Sequence, residues 1–163
     1  MFERILVPLD GSRFSVRALR YGIEVAKHFK AEVILMRVVP PATLTVAAGP
    51  PEVVGSPVTT QITAESAELQ NRSNLVRANR YLRRKIRELS SEGIKSSCYV
   101  AIGPPSESIM DRCRRGDVDL VVMATHGRGG LKRAFVGSVT DEVIRSSGVP
   151  VLVIRPGGKN SKK

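Results

Sequence analysis

The stretch Arg4-Ile-Leu-Val-Pro-Leu-Asp-Gly-Ser12 forms the first element of the chain and decides the class of fold. Its apolar run, Ile5 to Leu9, is too short for a membrane span or a secretory signal and is typical of a strand buried on both faces. Asp10-Gly-Ser12 then predicts a turn, and Ser12 or Ser15 can cap the helix that follows. The sequence therefore begins with a strand, a turn and a helix.

The same alternation of strands and helices continues to the end of the chain. After the first helix we predict strands at residues 32–39, 95–102, 118–124 and 149–154, with helices at about 63–92, 105–115 and 138–147 between them. Strands that alternate with helices imply a parallel sheet with helices on both faces, and right-handed crossovers make such a sheet doubly wound. The expected fold is a Rossmann-like α/β domain.

The chain has 163 residues, enough for one domain. We predict this domain over residues 1–156, with a long flexible loop at 40–62 and a disordered basic tail at 157–163. The loop is rich in proline and glycine and shows no periodicity, so it is either a functional lid or a tolerated insertion. Two cysteines and two histidines favour a reducing cytoplasm and no metal site. No signal peptide or membrane span is expected.

The formal net charge of +11 is concentrated in two places. One is the basic tail, and the other is the long predicted helix, with Arg72, Arg77, Arg80, Arg83, Arg84, Lys85 and Arg87. The pattern favours a solvated helix face with a solubilising tail. A nucleic-acid or other polyanionic partner is the alternative, although the absence of tryptophan argues against a platform for stacked single-stranded bases.

The segment after the fourth strand, from Met123 to Thr140, has the composition of an anion-binding loop. Its glycines permit close approach of a ligand to the backbone, and Gly137-Ser138 comes where a helix begins. Free amides at a helix N-terminus favour phosphate. Hydroxyl groups and positive charges would also favour an anion, and they are supplied by Ser138, Thr140, Arg128, Lys132 and Arg133. The spacing is neither a Walker A loop nor a dinucleotide fingerprint, so a glycine-rich connection in which Ser138 merely caps the helix remains the alternative.

Asp10 follows the first strand, where a doubly wound sheet forms a ligand crevice. A carboxylate at that point can accept hydrogen bonds from a ribose. An Asx turn with Gly11 is the simpler interpretation, and one side chain can serve both roles.

Four segments together resemble the universal stress protein family. The first is Ile5-Leu-Val-Pro-Leu-Asp-Gly-Ser12, and the others are Met123-Ala-Thr-His-Gly-Arg-Gly-Gly130, Val136-Gly-Ser-Val-Thr140 and Val149-Pro-Val-Leu-Val-Ile154. The resemblance implies a five-stranded parallel sheet of order 3-2-1-4-5. It also implies a homodimer through the last strand, Val149 to Ile154. Nucleotide-binding members carry Gly-x-x-Gly, nine residues and Gly-Ser, and here Ala124 stands at the first glycine.

The resemblance also implies which residues would bind ATP, or else ADP or AMP, with or without Mg²⁺. Pro8 and Asp10 match the positions that hold adenine and ribose, and Val38 and Met123 match positions beside the adenine, although both also suit an ordinary strand core. The phosphate-facing positions are matched by Gly127, Arg128, Gly130, Gly137, Ser138, Val139 and Thr140.

Dedicated catalysis is not expected from these residues. His126 is the one histidine near the predicted site and has no carboxylate pair beside it. Slow ATP hydrolysis or autophosphorylation, with Ser138 and Thr140 as candidate acceptors, would resemble what part of the family does. Three hypotheses remain in order of preference: a nucleotide-binding stress-response regulator, a dimeric stress scaffold without nucleotide, and a nucleic-acid binder.

Overall fold

The computed structural model describes residues 1–42, 57–125 and 137–155, and for residues 57–63 it describes the backbone alone. Strands and helices alternate along these residues. The strands are β1 (Arg4–Pro8), β2 (Glu32–Val39), β3 (Ser96–Ile102), β4 (Leu120–Ala124) and β5 (Val151–Ile154), and the helices are α1 (Arg13–Phe29), α2 (Pro57–Ser91), α3 (Pro105–Arg114) and α4 (Ser138–Ser146).

The five strands form one parallel sheet in the order β3-β2-β1-β4-β5. Leu6 at the centre of β1 lies opposite Ile34 of β2 on one side and Val121 of β4 on the other. The chain therefore builds outward from β1 in one direction through β2 and β3, and then returns to add β4 and β5. The direction reverses between β1 and β4, and in doubly wound sheets ligands bind at the carboxyl ends of the strands beside such a point.

Helices cover both faces of the sheet, as predicted. Alternate residues of the central strands face opposite sides and both sides are covered, so β1 is apolar from Ile5 to its end at Pro8. Ile5 and Val7 pack with Leu19 of α1 and Leu82 of α2. Leu6 packs on the other face with Ile109 and Cys113 of α3 and Val143 of α4. The core is thus two apolar layers separated by the sheet.

Helix α2 begins earlier than the sequence predicted. We placed residues 57–62 in a loop, whereas the helix starts at Pro57, and residues 43–56 of that loop lie outside the described part of the chain. Proline suits the first helical turn because its missing N–H would have no partner there. The first part of α2 shows no apolar period, and residues 64–70 are mostly exposed. The residues of this helix that reach the core come later, at Ala78, Leu82 and Leu89.

Candidate functional site

The turn after β1 pairs its polar groups with one another. Leu9 donates its backbone N–H to the carbonyl oxygen of Met36 at 2.7 Å, which keeps the chain beside β2 past the end of β1. Asp10 Oδ1 accepts the backbone N–H of Ser12 at 2.9 Å, so the Asx turn is present. Gly11 has φ of +85°, a value that favours glycine. Asp10 itself is half-buried.

Helix α1 is capped by the protein itself. Ser12 is its N-cap residue, and its Oγ accepts the backbone N–H of Ser15 at 3.2 Å. Burial alone would raise the pKa of Asp10, but hydrogen bonds from Ser12, together with Ser15, outweigh it and hold that pKa below its usual value. The carboxylate is therefore ionised at neutral pH and is already part of this turn.

Arg37 is a residue beside this turn that sequence reasoning missed. A Cβ placed on Gly11 would lie 3.1 Å from Arg37 Nη1, so the guanidinium group lies directly against the turn. It also stacks over the ring of Tyr81, 4.8 Å from the ring centre. Only its polarity within the apolar strand β2 marks Arg37 in the sequence, and a charged residue near a strand end is a weak signal.

The second part of the site is the joint between the end of β4 and the start of α4. Gly137 donates its backbone N–H to the carbonyl oxygen of Thr125 at 2.8 Å. A Cβ on Gly137 would lie 2.7 Å from that same oxygen, closer than real contacts allow. Only glycine fits this approach of two backbone segments. The joint ties together the two residues that flank the glycine-rich segment 126–136.

Helix α4 begins at Ser138, as predicted, but no side chain in the described part of the chain caps it. Gly137 is the N-cap residue and offers no acceptor, so the alternative in which Ser138 caps the helix is wrong. Within the described residues, no acceptor is recorded for the backbone amides of Ser138 and Val139. Amides at this end of a helix, together with the helix dipole, favour an anion.

Thr140 holds α4 against the end of β4. Its side chain is 3% exposed, and its Oγ1 donates to the carbonyl oxygen of Ala124 at 3.0 Å. The hydroxyl proton is therefore already used inside the protein. Ser138, by contrast, is exposed at the first helical position. Of the two candidate acceptors for autophosphorylation, Ser138 is the accessible one.

The positions predicted to lie beside an adenine are on the same side of the sheet as α4. Met123 is 5% exposed and belongs to the apolar layer that includes Val143 of α4. Val38 packs against this layer from β2. Pro8 ends β1 and is half-buried between these strands. The structure therefore brings Pro8, Val38 and Met123 to the carboxyl edge of three neighbouring strands.

Six predicted residues lie outside the described part of the chain: His126, Gly127, Arg128, Gly130, Lys132 and Arg133. Across residues 1–42, 57–125 and 137–155, no group of three or more His, Cys, Asp and Glu side chains is arranged to hold a metal ion. The described helices also include none that is long and apolar enough to cross a membrane.

The order and direction of the strands define a Rossmann-like protein in which β1 and β4 lie at the point where the strand order reverses. A family model described as the universal stress protein family matches residues 1–155. The chain therefore belongs to the universal stress protein family.

Three relatives are similar in sequence to this chain over nearly its whole length. Universal stress protein MJ0577 of Methanocaldococcus jannaschii is 31% identical over 157 residues, which cover 95% of this chain and 96% of that protein. Universal stress protein MJ0531 of the same organism is 29% identical, over 95% of this chain and 83% of that protein. YxiE of Bacillus subtilis is 27% identical, over 95% of this chain and all of that protein.

Solved structures confirm the fold. The structure of MJ0577 matches with a TM-score of 0.79 and 26% identity, over 98% of this chain and 99% of that chain. A family protein of Arabidopsis thaliana, solved with AMP bound, matches with a TM-score of 0.59 and 13% identity over 99% and 97% of the two chains. A universal stress protein in complex with cAMP matches with a TM-score of 0.56 and 17% identity, over 96% and 98%.

Proposed function

We propose that this protein is a stress-response regulator that binds an adenine nucleotide, ATP in preference to ADP or AMP, in the crevice between the ends of β1 and β4. The uncapped N-terminus of α4 is the observation that carries the proposal. Gly137 supplies no side-chain acceptor, so the amides of Ser138 and Val139 are left for a ligand. Phosphate oxygens are the acceptors that such a helix end favours.

The rest of the crevice supplies partners for the other parts of a nucleotide. Pro8, Val38 and Met123 offer an apolar edge for the adenine on the side of the sheet where α4 lies. Asp10 is ionised and half-buried, and a carboxylate has about four lone-pair positions, so it can accept ribose hydroxyls besides the backbone N–H of Ser12. Mg²⁺ would enter with the phosphates of ATP. The bound AMP and cAMP of the two structural neighbours support the nucleotide class.

Ala124 does not block this site. Its side chain packs against the apolar layer that contains α1 and α2, on the face of the sheet away from α4. Its carbonyl oxygen accepts the hydroxyl of Thr140 at 3.0 Å. The methyl group that replaces the first glycine of the motif therefore points into the core, and phosphates at the start of α4 would not meet it.

The first test is mass spectrometry of the small molecules that are released when freshly purified protein is denatured. The second is calorimetric titration of ligand-free protein with ATP, ADP and AMP in the presence of Mg²⁺. We expect about one adenine nucleotide per chain, or an ATP affinity in the micromolar range typical of nucleotide sites. Protein that is empty when purified and gives no heat with millimolar ATP would favour the nucleotide-free scaffold.

We further propose that the protein is a cytoplasmic homodimer that pairs through β5. All four residues of β5 are half-buried, and the strand lies at one edge of the sheet with its outer side unpaired by any described residue. An apolar edge strand left open promotes aggregation, and pairing with its symmetry mate removes the edge. The free thiols of Cys98 and Cys113 support a reducing compartment.

Placing a lysine on β5 tests this interface. Val153→Lys would bring two cations together across the two-fold axis, so we expect the dimer dissociation constant to rise at least tenfold by analytical ultracentrifugation. Ser97→Lys on β3 places the same charge at the opposite edge, where Ser97 is exposed, and should leave the dimer unchanged. A Val153→Lys protein that remains dimeric would exclude β5 as the interface.

A further inference from the structure

Helix α2 carries six arginines on the side away from the core. Ala78, Leu82 and Leu89 face the sheet, and one residue every 100° places Arg80 and Arg87 opposite them. All six side chains are exposed: Arg72, Arg77, Arg80, Arg83, Arg84 and Arg87, which we call the arginine face. From the first of these residues to the last, the helix rises about 22 Å.

No acidic side chain balances the arginine face. Residues 69–87 contain no aspartate or glutamate, and among the described residues none of the six arginines forms an ion pair. Cations elsewhere on the surface differ: Lys85, on the flank of α2, pairs with Glu88 at 2.6 Å, and Arg145 on α4 pairs with Asp141. Arg84 lies over the ring of Tyr81, but none of the six has an acidic partner among the described residues, and such like charges repel one another and attract a polyanion.

The chemistry of the face favours the phosphate backbone of a nucleic acid. The face has arginine rather than lysine, and a guanidinium group binds phosphate oxygens in pairs. An interfacial membrane helix needs a broad apolar face, but here the apolar side of α2 is used in the core. Among residues 64–91 of the helix, Leu69 and Val76 are the only large aliphatic side chains that are exposed, and both precede most of the arginine face.

We propose that the arginine face of α2 binds double-stranded DNA through its phosphates, without preference for base sequence. A straight helix fits against the backbone or within the major groove of B-form DNA, which is about 12 Å wide. The exposed part of this face has no aromatic side chain, so it lacks the stacking groups that single-stranded nucleic acid uses. Because α2 packs on β2 and β3, pairing through β5 at the other edge would leave the face open on each copy.

Fluorescence anisotropy with a mixed-sequence DNA duplex of about 24 base pairs, at about 50 to 200 mM KCl, tests this proposal. The triple variant Arg80→Ala, Arg83→Ala and Arg87→Ala removes three positive charges from the centre of the arginine face. We expect binding to weaken at least tenfold at low salt, and the slope of log K against log salt to lose about 3 from its magnitude, since each phosphate contact contributes about 0.9. Alanine is the best helix former, so α2 should remain folded by circular dichroism.

A matched control removes the same charge elsewhere. Arg20→Ala, Lys30→Asn and Arg115→Ala change exposed residues away from α2, and asparagine suits the left-handed backbone of Lys30. We expect this triple variant to bind duplex DNA within threefold of the unmodified protein. ATP affinity should be unchanged in both variants, which separates the DNA surface from the nucleotide crevice.

Three results would overturn the proposal. One is the absence of duplex binding by the unmodified protein at the lowest salt. Another is equal weakening in the two triple variants, which would assign binding to net charge alone. The third is loss of binding to vesicles of anionic phosphatidylserine in the Arg80, Arg83 and Arg87 variant while duplex binding is unaffected, which would identify the face as a membrane contact.

Discussion

Helices α1 and α4 begin at equivalent places in the fold, each following a strand at the point where the strand order reverses, but their N-termini are capped differently. After β1, Ser12 caps α1 with its own hydroxyl, and Asp10 accepts the amide of Ser12. After β4, Gly137 offers no side-chain cap, and its position is set by a backbone hydrogen bond to Thr125. The N-terminus of α1 is capped by the protein, whereas no described side chain caps that of α4, and this difference is why we propose that the phosphates bind at α4.

Replacing Gly137 should have the largest effect. In Gly137→Val the Cβ would lie 2.7 Å from the carbonyl oxygen of Thr125, so the joint must open. We expect ATP affinity to fall at least tenfold by calorimetry, with a loss of about 1–3 kcal/mol in the free energy of unfolding. Ser138→Ala, at the exposed neighbouring position, should change that free energy by less than about 0.5 kcal/mol. Binding by Gly137→Val at unchanged affinity would refute the placement of the phosphates.

Removing the hydroxyl of Thr140 should have the next largest effect. Thr140→Val keeps the shape of the side chain but leaves the carbonyl oxygen of Ala124 without this donor, at a cost of about 1–2 kcal/mol. Urea denaturation would measure the loss. Thr140→Ser retains the donor and should lose less. If serine proves as destabilising as valine, packing rather than the hydrogen bond holds α4 to β4.

Removing the cap of α1 should destabilise the fold without changing nucleotide binding. Ser12→Ala deletes the acceptor for the amide of Ser15 and should lower the free energy of unfolding by about 1 kcal/mol. Ser12→Asn restores a cap and should recover most of the loss. ATP affinity should stay within threefold in both variants. A large loss of ATP affinity in Ser12→Ala would contradict the proposal that the cap of α1 serves stability and that the phosphates bind at α4.

The charge of Asp10 should have the smallest effect, visible as a pH dependence. Since the fold lowers the pKa of Asp10, the unfolded chain binds more protons at acid pH, so this residue stabilises the fold above its usual pKa of about 4. That stabilisation should be lost as pH falls through the folded pKa. Asp10→Asn keeps an acceptor for Ser12, so the stability difference between the two proteins, measured from pH 3 to 7, should shrink on acidification. A difference that does not vary with pH would contradict the lowered pKa.

Sequence reasoning located the elements well where they contact the core. The bounds of β2 were predicted correctly, because Glu32 and Pro40 bracket an apolar run. The predicted start of helix α2 was six residues too late, because the prolines and glycines of residues 40–57 are typical of a loop. Strands β4 and β5 each began two residues early in our prediction, because valines at 118 and 149 continue the apolar pattern without pairing in the sheet.

The candidate site was predicted in part. Gly137 and Ser138 were placed correctly at the start of a helix from spacing alone, and the structure adds the backbone contact that requires glycine. Arg37 was missed because its neighbour Gly11 is distant in sequence and meets it only when β1 and β2 pair. Thr140 was predicted to face phosphate, but its hydroxyl is buried against Ala124, a contact that depends on how α4 packs.

The sequence by itself determined the class of fold, the order of elements and the two turns that flank the crevice, because periodicity and turn chemistry are local properties. The tertiary structure alone decided three things: that Thr125 and Gly137 meet, that the methyl group of Ala124 points away from α4, and that the six arginines of α2 have no acidic partner among the described residues. Each depends on the packing of segments distant along the chain, and such contacts leave no periodic signal in the sequence.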